Sequence, residues 1–173
     1  MTECQTKSKL IKKVAEIYEW LDLQICNNSD LVGKCDVCGR CCDFGKPAPA
    51  SEQGFDHRLF VTPPEVMYLA AKLGSENINP PHVWRINPPH KWRIKPMPTS
   101  SGSTTLTIKC PYNIDSKCSV YKYRFAGCRI FYCKGDKDFQ SELSESALKK
   151  FKSICEQFQI PYRYTDLATA LNL

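Results

Sequence analysis

Apolar residues recur at steps of three and four near the start of the chain, at Leu10, Val14, Ile17, Leu21 and Ile25. That spacing lays one apolar stripe along a helix of about 17 to 19 residues, over 9–25, and the stripe reads as a packing face. Asn27 and Asn28 supply a stop. A second helix is announced by its first turn. Thr62-Pro63-Pro64-Glu65 offers a threonine N-cap, proline at the first helical position and a glutamate that closes a capping box. Val66, Leu69, Ala70 and Leu73 then face inward, and Gly74 ends the helix. Residues 59–61 read as a short strand ahead of it. In the last third Leu143, Ala147, Phe151, Ile154, Cys155 and Phe158 share a helical face, with Ser141 or Ser144 as cap and Pro161 as breaker. Thr165-Asp166 followed by LATALNL predicts a short closing helix.

Between these helices the periodicity fails. Residues 33–45 hold four cysteines and neither a helical nor a strand period, so this loop depends on bound ligands for order. Residues 79–94 are a tandem octapeptide, NPPHVWRI then NPPHKWRI, identical at seven of eight positions. Its four prolines forbid a helix and leave extended or polyproline-like backbone. Loop composition continues to Ser103. The β-branched run 104–110 predicts a strand that pairs with 117–121 across a turn at Asn113-Ile114-Asp115-Ser116.

These elements predict an α+β fold: a small irregular domain of about three helices and a short β-hairpin organised around a cysteine-bound metal centre. The chain reads as a single domain over 1–173, with a metal-binding core at 33–133, a Pro-rich insertion at 75–103 and a C-terminal helical segment at 139–173. Its 173 residues suit one domain, and 42% hydrophobic content permits a core. Eleven cysteines are the compositional outlier. Charges run through the N-terminal residues without an apolar stretch, which predicts no signal peptide. No apolar run approaches the roughly 18 residues of a membrane span. The expectation is a cytoplasmic protein without a membrane partner, whose thiols serve metal or redox chemistry.

The spacing favours metal. Cys35-x-x-Cys38-x-x-Cys41-Cys42 puts four thiols within eight residues. A two-residue gap lets a tight turn bring two sulfurs to one ion, about 3.5 to 4 Å apart. Gly39 gives the backbone freedom to turn. After 67 intervening residues come Cys110, Cys118, Cys128 and Cys133, with Cys110 and Cys118 at the two ends of the predicted hairpin. Eight candidate ligands are enough for two tetrathiolate sites. Cys26 and Cys155 continue apolar helix faces and read as buried structural thiols, and Cys4 falls in a frayed terminus. No βαβ pattern surrounds the CxxC pairs, which argues against a thioredoxin-like role. Adjacent Cys41 and Cys42 do not easily face one ion, so one of them is available to a second metal or as a free thiolate.

Cys35-Asp36-Val37-Cys38-Gly39-Arg40-Cys41-Cys42, followed by Cys110-Pro111, Cys118-Ser119-Val120-Tyr121, Arg124 and Cys128-Arg129-Ile130-Phe131, resembles the CxxCxxCC cysteine-cluster family, described as zinc- or iron-chelating proteins. The resemblance covers roughly 33–133. Where the family usually carries Arg-Pro this chain has Arg124-Phe125, which predicts a different turn before Cys128. Larger relatives include flagellin lysine N-methyltransferases, whose cluster domain is thought to hold iron–sulfur. The resemblance thus implies a metal and leaves the reaction open. This chain has no Gly-rich strand-to-helix loop for a methyl donor. The metal is zinc or iron, including a 4Fe–4S cluster, because both cysteine partitions are available.

Other residues widen the candidates. His82 and His90 are ligands if the duplicated loop folds over the centre, and otherwise solvated or stacked on tryptophan. Trp84 and Trp92, each followed by arginine, suit stacking on bases or on a peptide, or simply cover the core. Arg124 and Arg129 flank Cys128 and, with Tyr121, are expected around the centre, where a cation offsets thiolate charge. No Ser/His/Asp order, phosphate loop or carboxylate pair identifies a catalytic residue. Three readings stand: a metal-binding protein, with a metal ion and a protein as candidate partners; an iron–sulfur enzyme or component in protein modification; and a zinc-dependent nucleic-acid or peptide module. The net charge of +6 falls to about +2 once eight thiolates (−8) and two divalent ions (+4) are counted, which argues against nucleic acid.

Overall fold

The computed structural model describes residues 3–33, 39–42, 59–74 and 110–167. Helix α1 spans Glu3–Asn27, so it begins six residues before the predicted start and includes Cys4. Lysine, glutamine and glutamate in that added stretch are good helix formers, which carries the helix beyond its apolar stripe. Leu10, Val14, Ile17, Tyr18 and Leu21 form the buried face. Cys26 is exposed, contrary to the reading of a buried thiol, whereas Cys155 is buried as expected. The helix stops where predicted, with the Asn28 side-chain amide donating to the Gln24 carbonyl at 2.8 Å. One further turn, α2 (Ser29–Val32), ends at Gly33.

Strand β1 (Phe60–Val61) leads into α3 (Pro63–Leu73). The predicted start holds: the Glu65 carboxylate accepts the Thr62 backbone N–H at 2.8 Å, and prolines occupy the first turn. Gly74 ends the helix at φ +79°. The hairpin differs in register from the expectation. Strands β2 (Asn113–Ile114) and β3 (Lys117–Cys118) pair antiparallel, Asn113 with Cys118 and Ile114 with Lys117. Asp115 and Ser116 form the two-residue turn with φ of +49° and +64°, the sign that a type I′ turn requires at both positions. Cys110 therefore precedes the hairpin and does not pair with Cys118. The expected strand 104–110 lies outside the described residues except for Cys110, as do the loop of the duplicated octapeptide and the Pro-rich insertion.

A 3-10 turn (Tyr121–Tyr123) and the short helix α4 (Ala126–Ile130) precede the second long helix, α5 (Lys137–Gln157). Asp136 caps α5 through Phe139 N–H at 2.7 Å, in place of Ser141 or Ser144. The helix ends before Pro161 can act. Gln159 adopts φ +54°, its N–H donates to Glu156 at 3.3 Å, and Ile160 N–H donates to Cys155 at 2.8 Å. This is a Schellman end with a glutamine at the left-handed position. Thr165–Asp166 form strand β4, antiparallel to β1, and Leu167 directly after them is helical, as the closing helix requires. The Leu167 N–H donates to the Leu59 carbonyl at 2.6 Å; the rest of the predicted closing helix lies outside the described residues.

The fold is α+β, mostly helical, with two small two-stranded sheets among the described residues. Two apolar clusters hold it. The larger joins α1 and α5 with Tyr68 of α3 and with Ala126 and Ile130 of α4. The smaller gathers Leu59, Val61, Val66, Leu69, Val120, Phe125 and Leu167, with Cys118 and Cys128 packed at its margin. Among the described residues no helix is long and apolar enough to cross a membrane.

Candidate metal centre

Cys118 and Cys128 pack at the margin of the smaller cluster, and backbone bonds bring the turn of Cys41 and Cys42 to Cys110, just ahead of the hairpin. Cys41 and Cys42 lie in a 3-10 turn (Arg40–Cys42) entered through Gly39 at φ +70°. A β-carbon on Gly39 would come within 2.9 Å of Asn113 Nδ2, so glycine serves both the turn and the close approach of the hairpin. The Cys42 carbonyl accepts the Cys110 N–H at 2.7 Å, and the Cys110 carbonyl accepts the Asn113 N–H at 3.0 Å. Cys118 stands on β3, and Cys128 on α4.

The sulfurs of Cys41 and Cys42 are 3.9 Å apart. A hydrogen bond with Cys42 is the main cause that holds the Cys41 thiol well above its ordinary value, and burial adds to it. Cys42 is pushed up to about 11, chiefly by its hydrogen bond with Cys110. That same bond pulls Cys110 down. Burial raises Cys128, and the charges of Cys42, Cys41 and Cys118 raise it further. Five thiols thus share one electrostatic neighbourhood in which the thiolates oppose one another. A soft divalent cation reverses that balance, since it stabilises the ionised form of every sulfur it binds.

Among the described residues no three His, Cys, Asp or Glu side chains converge closely enough to hold an ion alone. Cys35 and Cys38, the other members of the upstream motif, lie outside the described residues, as do His82, Trp84, His90 and Trp92. Cys133 is exposed, in the turn between α4 and α5. The donor set fits zinc or iron: the grouped donors are all thiols, the type these metals take in tetrathiolate sites. One further feature fits an anionic centre. The Arg124 Nε is buried without a hydrogen-bond partner, and the Arg124 charge lowers Cys41 against the other influences on it.

The two arginines that sequence treats alike separate here. Arg124 lays its guanidinium 4.0 Å from the centre of the Tyr121 ring, which is largely exposed. Arg129 is buried and turns toward α1, where its Nη1 donates to both Asp22 carboxylate oxygens at 2.8 Å. Its Nε donates to the Arg124 carbonyl at 3.0 Å and its Nη2 to the Lys122 carbonyl at 2.8 Å. The guanidinium also sits 4.3 Å from the Tyr18 ring centre. Arg129 therefore clamps the segment that carries Arg124 and Cys128 onto α1. Phe125, where the family pattern has proline, caps α4 at φ −62° and is buried; proline would impose the same φ.

Glu65 has a role that its sequence signal does not disclose. The capping box identifies it as a helix start, yet the carboxylate is 2% exposed and also accepts the Ala126 N–H at 2.7 Å. Ala126 opens α4, so Glu65 ties α3 to the helix that bears Cys128. Comparison of the chain with protein-family models, curated proteins and solved structures gives no match.

Proposed function

We propose that the chain is a metal-binding protein of the CxxCxxCC cysteine-cluster kind, holding zinc or iron, the latter as ions or as an iron–sulfur cluster. The ligands are drawn from Cys35, Cys38, Cys41 and Cys42 with Cys110, Cys118, Cys128 and Cys133. The observation that carries the reading is the shared electrostatic neighbourhood of Cys41, Cys42, Cys110, Cys118 and Cys128. Chance burial of free thiols does not explain it, because backbone bonds tie the segments together at the thiols themselves, as from Cys110 to Cys42. Bound metal supplies the positive charge that lets these sulfurs ionise side by side. The chain's own part is to bring them together, to exclude water with Val120 and Phe125, and to present Arg124 beside them.

The test is metal analysis and absorption of protein purified without oxygen. A brown sample with a broad band near about 400 nm identifies iron–sulfur. A colourless one with stoichiometric zinc identifies a zinc–thiolate site. Protein that retains neither, and takes up neither zinc nor iron with reduced thiols, sinks the proposal.

A further inference from the structure

Side chains on adjacent residues of an extended chain point to opposite sides, so neighbouring cysteines do not ordinarily meet at one ion. Cys41 and Cys42 do meet: their sulfurs are 3.9 Å apart. The backbone sets this arrangement. Gly39 at φ +70° starts the turn. The Cys42 N–H closes it on the Gly39 carbonyl at 3.0 Å, and the Cys42 carbonyl accepts the Cys110 N–H at 2.7 Å. Tetrahedral geometry with metal–sulfur bonds of about 2.3 Å separates any two ligand sulfurs by about 3.8 Å. The vicinal pair therefore already has the spacing of one edge of a tetrahedral thiolate site. A cubane iron–sulfur cluster asks for something else. Each of its irons holds three inorganic sulfides and takes a single cysteine, so its cysteine sulfurs point outward from separate corners. Two sulfurs in contact do not reach two corners.

We infer that Cys41 and Cys42 chelate the same ion, as a vicinal pair on one edge of its tetrahedron. This rests on the proposed metal-binding function and narrows it. The ion at these two thiols is zinc or one iron, the latter alone or as half of a 2Fe–2S cluster, and a 4Fe–4S cluster takes at most one of the pair. Each thiol gives its proton to solvent as the metal–sulfur bond forms, so the pair releases two protons for each ion it takes, with no change in oxidation state. The turn holds both sulfurs in place beforehand, which lowers the ordering cost of binding.

The test loads the full chain with the NMR-active isotope of cadmium, which accepts the same tetrahedral thiolate sites as zinc, and correlates cysteine β-protons with cadmium through the metal–sulfur bond. Expected is one cadmium resonance that couples to the β-protons of both Cys41 and Cys42. Cys41→Ser and Cys42→Ser should each displace or abolish that same resonance. Each should also weaken zinc affinity in chelator competition by more than the tenfold to hundredfold that loss of an outer partner costs. Coupling of the two residues to different resonances, or of only one of them to any, overturns the inference. A 4Fe–4S cluster in protein purified without oxygen, lost in both serine variants, overturns it too. Should the serine variants not fold, the coupling pattern of wild type decides the question alone. A chain that takes up no cadmium, zinc or iron with its thiols reduced overturns the proposed function itself, whereas metal uptake with split couplings overturns the shared ion only.

Discussion

Replacing Glu65 tests the scaffold at its most demanding point. Its Oε2 accepts the Thr62 N–H and hydroxyl, both at 2.8 Å. Its Oε1 accepts the Ala126 N–H at 2.7 Å and the Tyr18 hydroxyl at 3.4 Å. Glu65→Ala strands two buried amides, each worth about 1–3 kcal/mol when left without an acceptor. The Thr62 hydroxyl can turn to another partner, and the Tyr18 bond is long. The expected loss is therefore about 2–6 kcal/mol, a large part of a folding free energy of roughly 5–15 kcal/mol. Glu65→Gln keeps one acceptor oxygen and should lose less. Urea denaturation followed by far-ultraviolet circular dichroism gives both values. The pH dependence is a second readout. Burial raises the Glu65 carboxyl above its ordinary 4.5, so the folded protein keeps a proton that the unfolded chain has released. The stability this group contributes is complete below about 4.5 and is lost as pH rises through the raised folded value. Glu65→Gln does not titrate and lacks that decline. A Glu65→Ala loss below about 1 kcal/mol, or parallel stability–pH curves for wild type and Glu65→Gln, would refute the reasoning.

Arg129→Met removes the buried guanidinium that bridges Asp22 and two carbonyls; a loss of about 3 kcal/mol is expected in the same urea assay, with Arg129→Lys recovering less than half. Replacing Asp115-Ser116 by Asn-Gly relieves two positive-φ positions and should stabilise by about 0.5–1 kcal/mol, read as a rise in Tm of about 1–4 °C. Gly135→Ala would press a β-carbon to 2.7 Å from the Val32 carbonyl and 2.5 Å from Gln140 Nε2. Because a backbone atom must yield, a loss of about 1–3 kcal/mol is expected by thermal unfolding.

What sequence discloses here is local. The apolar stripe of α1 and the Thr62 to Glu65 start of α3 are complete within a few residues, and both stand as read. The errors arise where a decisive partner lies elsewhere or where an unusual residue fills a familiar role. Asp136 caps α5 seven residues before Leu143, the first residue of the apolar face, so no periodic signal reaches back to the cap. Gln159 takes a left-handed position that glycine usually marks, so in the sequence Pro161 is the more visible breaker although the helix has already ended. Asp115 and Ser116 turn the hairpin without a glycine, which shifts the register. Thr165 pairs with Val61 across the fold, and Arg129 meets Asp22 at a separation of 107 residues; neither partner has a signal in its neighbours. The cysteine motif is the converse case. Its spacing singles out Cys41, Cys42, Cys110, Cys118 and Cys128, which influence one another electrostatically, but not the carboxylate of Glu65 that docks α4 or the different settings of Arg124 and Arg129.

The arrangement of the two apolar clusters sharpens what metal removal should do. A structural metal contributes about 10–16 kcal/mol of apparent free energy, comparable with the stability of a whole domain. From the motif alone, chelation is expected to unfold everything between the first and last candidate cysteine. The larger cluster, however, is built from Leu10, Val14, Ile17, Leu21, Leu143, Ala147, Phe151 and Ile154 with residues of α3 and α4, and contains no candidate ligand. The candidate thiols Cys118 and Cys128 border the smaller cluster alone. The long helices therefore retain most of their burial when metal leaves, while the hairpin and the turn of Cys41 and Cys42 lose the cross-link between them. Hydrogen exchange measured by mass spectrometry before and after strong chelation should show protection lost at the amides of Cys110, Asn113 and Ser119, which bond to Cys42, Cys110 and Tyr112. Amides in the centres of α1 and α5 should keep theirs. Equal loss across α1 and α5 would mean that metal holds the entire fold and that the larger cluster is not self-sufficient. Unchanged exchange at the hairpin in protein shown to have released its metal would mean that these cysteines do not bind it.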